Sequence, residues 1–206
     1  MKKLKPATID SALLKKLQKK TGKLQQKSWD YTSGHPRTFK DAITTQMVVI
    51  QSMRCAYCGS RLYGTKHHRD HIAPKESHPK FTFVPANLVL ACYHCNTDCK
   101  GTTDTVITKD KTYGKCVFSI VHPHFDDPKE HLAFVGGTNA ILIQVVNASS
   151  KGSATVALFH LDSPEMTKQR AKDVLIDTDL EHLPGKWKKA FRFVPPANLK
   201  MKIRTA

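Results

Sequence analysis

The chain has 206 residues, 40% of them hydrophobic and 24% charged, which excludes a disordered polyelectrolyte and fits one or two globular domains. Its 33 Lys+Arg against 17 Asp+Glu leave a net charge of +16, which favours a polyanionic partner, nucleic acid above all. No apolar run reaches the ~18–20 residues that span a bilayer, and Met1-Lys2-Lys3 runs into a lysine-rich segment, not an apolar signal core, so a cytoplasmic protein without membrane association is expected.

In chain order, Ile9, Leu13, Leu14 and Leu17 recur at helical spacing behind caps at Asp10 or Ser11, with Lys15, Lys16, Lys19 and Lys20 between them. A second helix is predicted on Phe39, Ile43, Met47, Ile50 and Met53, opened by a capping box of Thr38 with Asp41. Short β-like runs, cysteines and turns fill 55–105. Strands are predicted over Leu132–Val135, Ala140–Val146 and Ala154–Leu161, and Ser163-Pro164-Glu165 opens a helix over Met166–Leu175. The tail alternates again, with Phe191 and Phe193, then Leu199, Met201 and Ile203, on one face. The expected division is a basic helical region (1–54), a central unit (55–105) and an α+β region with a basic tail (106–206). Residues 1–54 hold 12 basic and 3 acidic side chains and 186–206 hold 7 basic and none acidic, so 55–185 is neutral overall. Basic flanks around a neutral body read as arms gripping a backbone, against the plainer reading of solubilising ends.

Four of the six cysteines form two pairs, Cys55-x-x-Cys58 and Cys92-x-x-Cys95. A two-residue gap lets both thiolates of a pair face one tetrahedral ion, and two pairs close a structural zinc site. Gly59 supplies the tight turn of a knuckle, and the second pair follows the apolar run Leu88–Ala91, which is the treble-clef arrangement. Cys116, beside Val117 and Phe118, reads as a core thiol, and Cys99 as a reserve ligand.

Between the pairs lies His67-His68-Arg69-Asp70-His71, followed by Asn87-Leu88 and then by Cys95-Asn96 and Lys100-Gly101. In that order these residues resemble the H-N-H (His-Me finger, ββα-metal) endonuclease family over 55–101. The gap from Asn96 to Lys100 is one residue longer than the family's usual Cys-Asn-x-x-Lys. The resemblance implies an α+β fold, a zinc-stabilised treble clef around a ββα-metal unit, and a metal-dependent endonuclease acting on DNA. His71 would then be the base that activates water, Asn87 would hold the His71 ring, and Asp70 and Asn96 would bind one divalent cation. Two oxygen ligands suit Mg²⁺ or Mn²⁺. Lys66, Arg69, Lys75 and Lys100 are candidate phosphate contacts. His67, His68 and His94 read either as solvated or as substrate or metal contacts. Asp70 and His71 are adjacent, so a strand would send them to opposite faces; a shared site requires the strand to end there.

The phrase His122-Pro123-His124-Phe125-Asp126-Asp127-Pro128, running on to Leu132, is read as a turn and helix start or as a second metal site. Following such a unit, it is similar to the Septu-type anti-phage nucleases, which implies an ABC-type ATPase partner and a defence role. The alternative is a non-catalytic zinc-stabilised module that binds nucleic acid or protein.

Overall fold

The computed structural model describes residues 1–19, 22–62, 67–136 and 140–185. Helix α1 (Ser11–Gln18) starts at the anticipated cap: the Asp10 carboxylate accepts from the Leu13 N–H at 2.9 Å, and Leu17 is buried. Helix α2 (Gly22–Ser28) is too short and polar for hydrophobic periodicity to announce it. Helix α3 (Gly34–Ile50) opens one turn before the Thr38–Asp41 box, which is therefore not its cap. Pro36 sits in the first turn, where its missing N–H costs nothing. Thr38 instead donates to the Gly34 carbonyl at 3.2 Å, and Asp41 pairs with Arg37 at 3.2 Å. Phe39, Ile43 and Met47 of α3 are wholly buried, each contributing about 1.5–3 kcal/mol.

The centre is the antiparallel pair β1 (His68–His71) and β2 (Leu88–Ala91), with His71 opposite Leu88 and His68 opposite Ala91. Gln51, just past α3, grips the edge of β2. Its amide accepts from the Leu90 N–H and donates to the Leu90 carbonyl, both at 2.8 Å, standing in for a neighbouring strand. A π-helical turn, His94–Lys100, follows β2 and completes a ββα order. Two further hairpins follow, β3 (Val106–Thr108) with β4 (Val117–Phe118), and β5 (Leu132–Val135) with β6 (Leu142–Val145).

The strand anticipated over Ala154–Leu161 is a helix instead, α4 (Ser150–Phe159). Its buried residues Gly152, Thr155, Val156 and Phe159 have helical spacing, and Ser149 Oγ caps it by accepting from the Gly152 N–H at 2.9 Å. Gly152 is needed there because a Cβ would lie 2.5 Å from the His131 carbonyl. Helix α5 (Pro164–His182) begins at the anticipated Ser163 cap and runs past Leu175. The alternating tail, Phe191 to Ile203, lies outside the described residues. The buried hydrophobic cluster of the described residues runs from Leu4 to Met166. Helix and strand are mixed in an α+β arrangement, and among the described residues no helix is long and apolar enough to cross a membrane.

Candidate active site and metal centre

The two cysteine pairs converge. The Sγ atoms of Cys55, Cys58, Cys92 and Cys95 lie within 4.8 Å of one another, with Cys58 and Cys92 3.8 Å apart. A tetrahedron of Zn–S bonds of about 2.3 Å has S···S edges of roughly 3.8 Å, so the cluster has the dimensions of a zinc site. Burial pushes the Cys55 thiol up and hydrogen bonds among the thiols, Cys55 first, push Cys95 up, whereas hydrogen bonds from the neighbouring thiols, Cys55 first, pull Cys58 and Cys92 down. Cys99 stands outside it, half-buried, with its sulfur 3.3 Å from His94 Nε2, and Cys116 is buried as a core thiol.

Strand β1 ends at His71, and both Asp70 and His71 are buried beside one cleft of ≈ 290 Å³. The next three carbonyls are each held by a buried side chain. Lys100 Nζ donates to His71 O at 2.8 Å, Thr105 Oγ to Ile72 O at 2.6 Å, and Asn87 Nδ2 to Ala73 O at 3.0 Å. This bracing makes the chain turn just after the strand, so that two adjacent residues serve one cleft. Asn87 also accepts from the Ala73 N–H at 2.7 Å and donates to Phe81 O at 3.1 Å. Its amide therefore locks the backbone and does not hold the His71 ring as the resemblance implied.

The ring is held by a backbone carbonyl: His71 Nε2 lies 3.0 Å from Thr82 O. That contact assigns the proton to Nε2 and leaves a lone pair on Nδ1 that can accept a proton. Burial pushes the His71 pKa down to about 3, against the pull of the Thr82 carbonyl, so the imidazole is neutral across the physiological range. Asp70 receives hydrogen bonds on both oxygens, from Tyr57 OH on Oδ2 and from Lys100 Nζ on Oδ1 at 3.1 Å. Burial pushes its carboxyl up, and Lys100 and then Tyr57 oppose the shift.

The extra residue between Asn96 and Lys100 is taken up by the π turn. Gly101 N–H reaches back to Asn96 O at 3.0 Å, an i→i+5 bond, and Gly101 adopts φ 48° to end the turn. The wider turn carries Lys100 inward to Asp70, so this lysine is buried and its ammonium is engaged within the protein. Asn96 lines the cleft with its Nδ2 on Thr97 Oγ at 3.2 Å, leaving the amide oxygen for a ligand.

Residues 55–100 match the family model for HNH endonuclease. This segment is an HNH domain. Protein ea31 of Escherichia phage lambda is 30% identical over 123 residues, or 60% of this chain; the chain spans 36% of that relative's length.

One wall of the HNH cleft comes from outside the matched segment. Trp29, between α2 and α3, meets the His71 ring edge-on with centroids 4.3 Å apart and leans on Phe83 at 5.8 Å. Lys40 Nζ fixes the segment by donating to Trp29 O at 2.8 Å and to Tyr31 O at 2.9 Å. Of the candidate phosphate contacts, Arg69 and Lys75 line the cleft, Arg69 tied to Thr44 Oγ at 2.9 Å and Lys75 to Glu76 at 2.7 Å. Lys66 lies outside the described residues. His68 packs against Tyr93, and His94 faces Asp98 at 3.5 Å.

Sequence reasoning missed Trp29, Tyr57 and Thr82. Tyr57 alone carried a signal, since an aromatic between two zinc-spaced cysteines must point somewhere. In the 122–132 phrase, His122 Nε2 meets Tyr113 OH at 2.8 Å, and His124 Nε2 meets Leu88 O at 3.1 Å, bracing β2. Asp127 caps the 3₁₀ turn Pro128–Glu130. The phrase is thus a turn and packing element, and among the described residues only the four cysteines group as a metal site.

Proposed function

We propose that the protein is a metal-dependent HNH endonuclease that hydrolyses phosphodiester bonds in DNA. The observation that carries this reading is the His71 imidazole, buried, neutral and held through Nε2 on the Thr82 carbonyl, at the edge of a cleft that also contains Asp70 and Asn96. His71 Nδ1 takes the proton of the attacking water. Asp70 and Asn96 would hold one Mg²⁺ or Mn²⁺: their donors are oxygens, each Asp70 oxygen keeps a lone pair beyond its present hydrogen bond, and among the described residues none donates to the Asn96 amide oxygen. A bound divalent ion supplies charge neutralisation at phosphorus and at the leaving oxygen. Asn87, Lys100 and Thr105 keep the 71–73 backbone in the geometry that lets Asp70 and His71 act together, while Arg69 and Lys75 meet the substrate phosphates. Zinc on Cys55, Cys58, Cys92 and Cys95 would hold the knuckle.

One observation favours a second reading, a non-catalytic module that binds nucleic acid: the Lys100 ammonium already neutralises Asp70. His71→Ala separates the two. General-base removal should lower cleavage about 10²–10⁴-fold with DNA affinity retained, and a variant that nicks plasmid DNA at the wild-type rate contradicts the endonuclease. An ATPase partner and a defence role come with the Septu-type resemblance alone; co-purification of an ATPase with the native protein is their test.

A further inference from the structure

The neutral charge of residues 55–185 conceals a separation of signs. Helix α5 carries five acids against three bases, whereas the β3–β4 hairpin between Val106 and Phe118 carries three lysines and one aspartate. Lys109, Lys111 and Lys115 from this hairpin and Lys80 from the Pro79–Phe81 turn line one cleft of ≈ 620 Å³. Asp110 is the single acid among the lining residues, and its carboxylate accepts from the Thr112 N–H at 2.6 Å. Lys109, Lys111 and Lys115 are exposed and make no ion pair with the described residues.

The cleft is built on rigid parts. Lys80 Nζ donates to Asp110 O at 2.6 Å, tying the turn to the hairpin, and buried Tyr113 anchors the hairpin against Phe81 with centroids 5.0 Å apart. Lysines raised on a packed scaffold, four of them against Asp110 in the lining and Asp104 within Coulomb reach of Lys109, leave a net positive cleft that matches a polyanion. The cleft also adjoins the catalytic one through the chain itself. Lys80 and Phe81 lead directly to Thr82, whose carbonyl holds His71, and Gln25 of α2 bonds Lys80 O at 3.4 Å. Helix α2, which carries Lys23 and Lys27, ends just before Trp29, whose ring meets His71 edge-on.

We propose that the cleft between the Pro79–Phe81 turn and the β3–β4 hairpin is a second contact for the nucleic acid, holding the phosphodiester backbone to one side of the bond that is cut. The site rests on the endonuclease reading and extends it: the catalytic cleft positions one phosphate, and the lysines set the direction in which the strand leaves. Recognition by ammonium groups without stacking partners makes the contact independent of base sequence.

The test is the salt dependence of affinity for a labelled DNA duplex of mixed sequence, measured on the full chain without added divalent metal, so that no turnover is required. Substituting Lys109, Lys111 and Lys115 together by Ala should flatten the slope of log K against log salt by about 2.7, at ~0.9 per phosphate contact, and weaken binding on the order of 10–100-fold near physiological salt. Exposed lysines are replaced, so the fold should survive; thermal melting checks it. Replacing Lys168 and Lys172 on the exposed, acidic side of α5 by Ala should leave the slope unchanged. A triple variant with the wild-type slope overturns the site while leaving the endonuclease reading intact. A control variant that flattens the slope per lysine as strongly as the triple also overturns it, since total charge alone would then act. If wild-type protein binds duplex DNA with no salt dependence, the cleft and the nucleic-acid reading fall together.

Discussion

The two sides of the proposed catalytic cleft are held by different means. Asp70 leans on Tyr57 and Lys100, both inside the HNH segment, and Tyr57 sits between two zinc-spaced cysteines and stacks on Phe159 of α4 at 4.2 Å. His71 leans on Thr82 from within the segment and on Trp29 from the helices upstream. Both sides thus reach beyond the segment: the proposed metal side through Tyr57 to α4 and the cysteine cluster, the proposed base side through Trp29 to the upstream helices. Adjacent residues in one strand can therefore be disturbed separately.

The largest expected effect falls on the metal side. A structural zinc is worth on the order of 10 kcal/mol, comparable to the ~5–15 kcal/mol that holds a domain together. Stripping it with a strong chelator should unfold the knuckle and release Tyr57 from Asp70. Circular dichroism with a zinc-release dye reads this, and unchanged melting after full chelation rules out the four-cysteine site.

A finer division comes from two single substitutions. Tyr57→Phe removes one hydrogen bond to Asp70, the proposed ligand of the catalytic ion, so Mn²⁺ affinity should fall about 10–100-fold, with the rate at saturating metal nearly kept. Trp29→Ala removes the wall beside the imidazole, so the rate at saturating metal should fall roughly tenfold or more while Mn²⁺ affinity stays. Trp29→Phe should restore most of it. Titration of Mn²⁺ by electron paramagnetic resonance, beside single-turnover cleavage, reads both; exchanged outcomes would mean that the two walls are not independent.

A further effect, which builds up gradually with pH, is shared by both sides and falls on acid stability. Burial pushes His122 down to about 3 and lowers His124, both in the phrase that braces β2 beneath both walls. Between about pH 6.5 and 3 the unfolded chain binds protons that the folded His122 refuses, so stability must fall as pH falls. The slope is about 1.4 kcal/mol per pH unit for each histidine kept fully neutral. Urea unfolding at several pH values below neutrality measures it, and a flat profile contradicts buried neutral histidines.

How far the site was legible depended on the distance between partners in the chain. The cysteine pairs and the Ser163 cap were legible because each is a local pattern of spacing, and the end of β1 at His71 because two adjacent residues can share a site only where the strand stops. The extra residue before Lys100 was visible, but not its consequence, since a π turn and an α turn differ only once the backbone is closed. Ala154–Leu161 reads as a strand from its β-branched and aromatic residues, and the Ser149 cap with close packing of Gly152 against His131 overrides that preference. Asn87 was singled out by type and order, but whether its amide reaches a ring or a backbone depends on a turn outside its own segment.

Residue types and spacing alone were enough to name the candidate groups: four cysteines at zinc spacing, an Asp-His pair, and the asparagines that follow in order. These are short-range chemical requirements, written as residue types a few positions apart. The tertiary structure alone decided which groups each of them meets. It turned Lys100 inward to Asp70, brought Trp29 onto His71, and drew lysines out of a segment whose charges sum to zero into one cleft. Charge summed along a chain carries no direction, and only folding separates the signs in space.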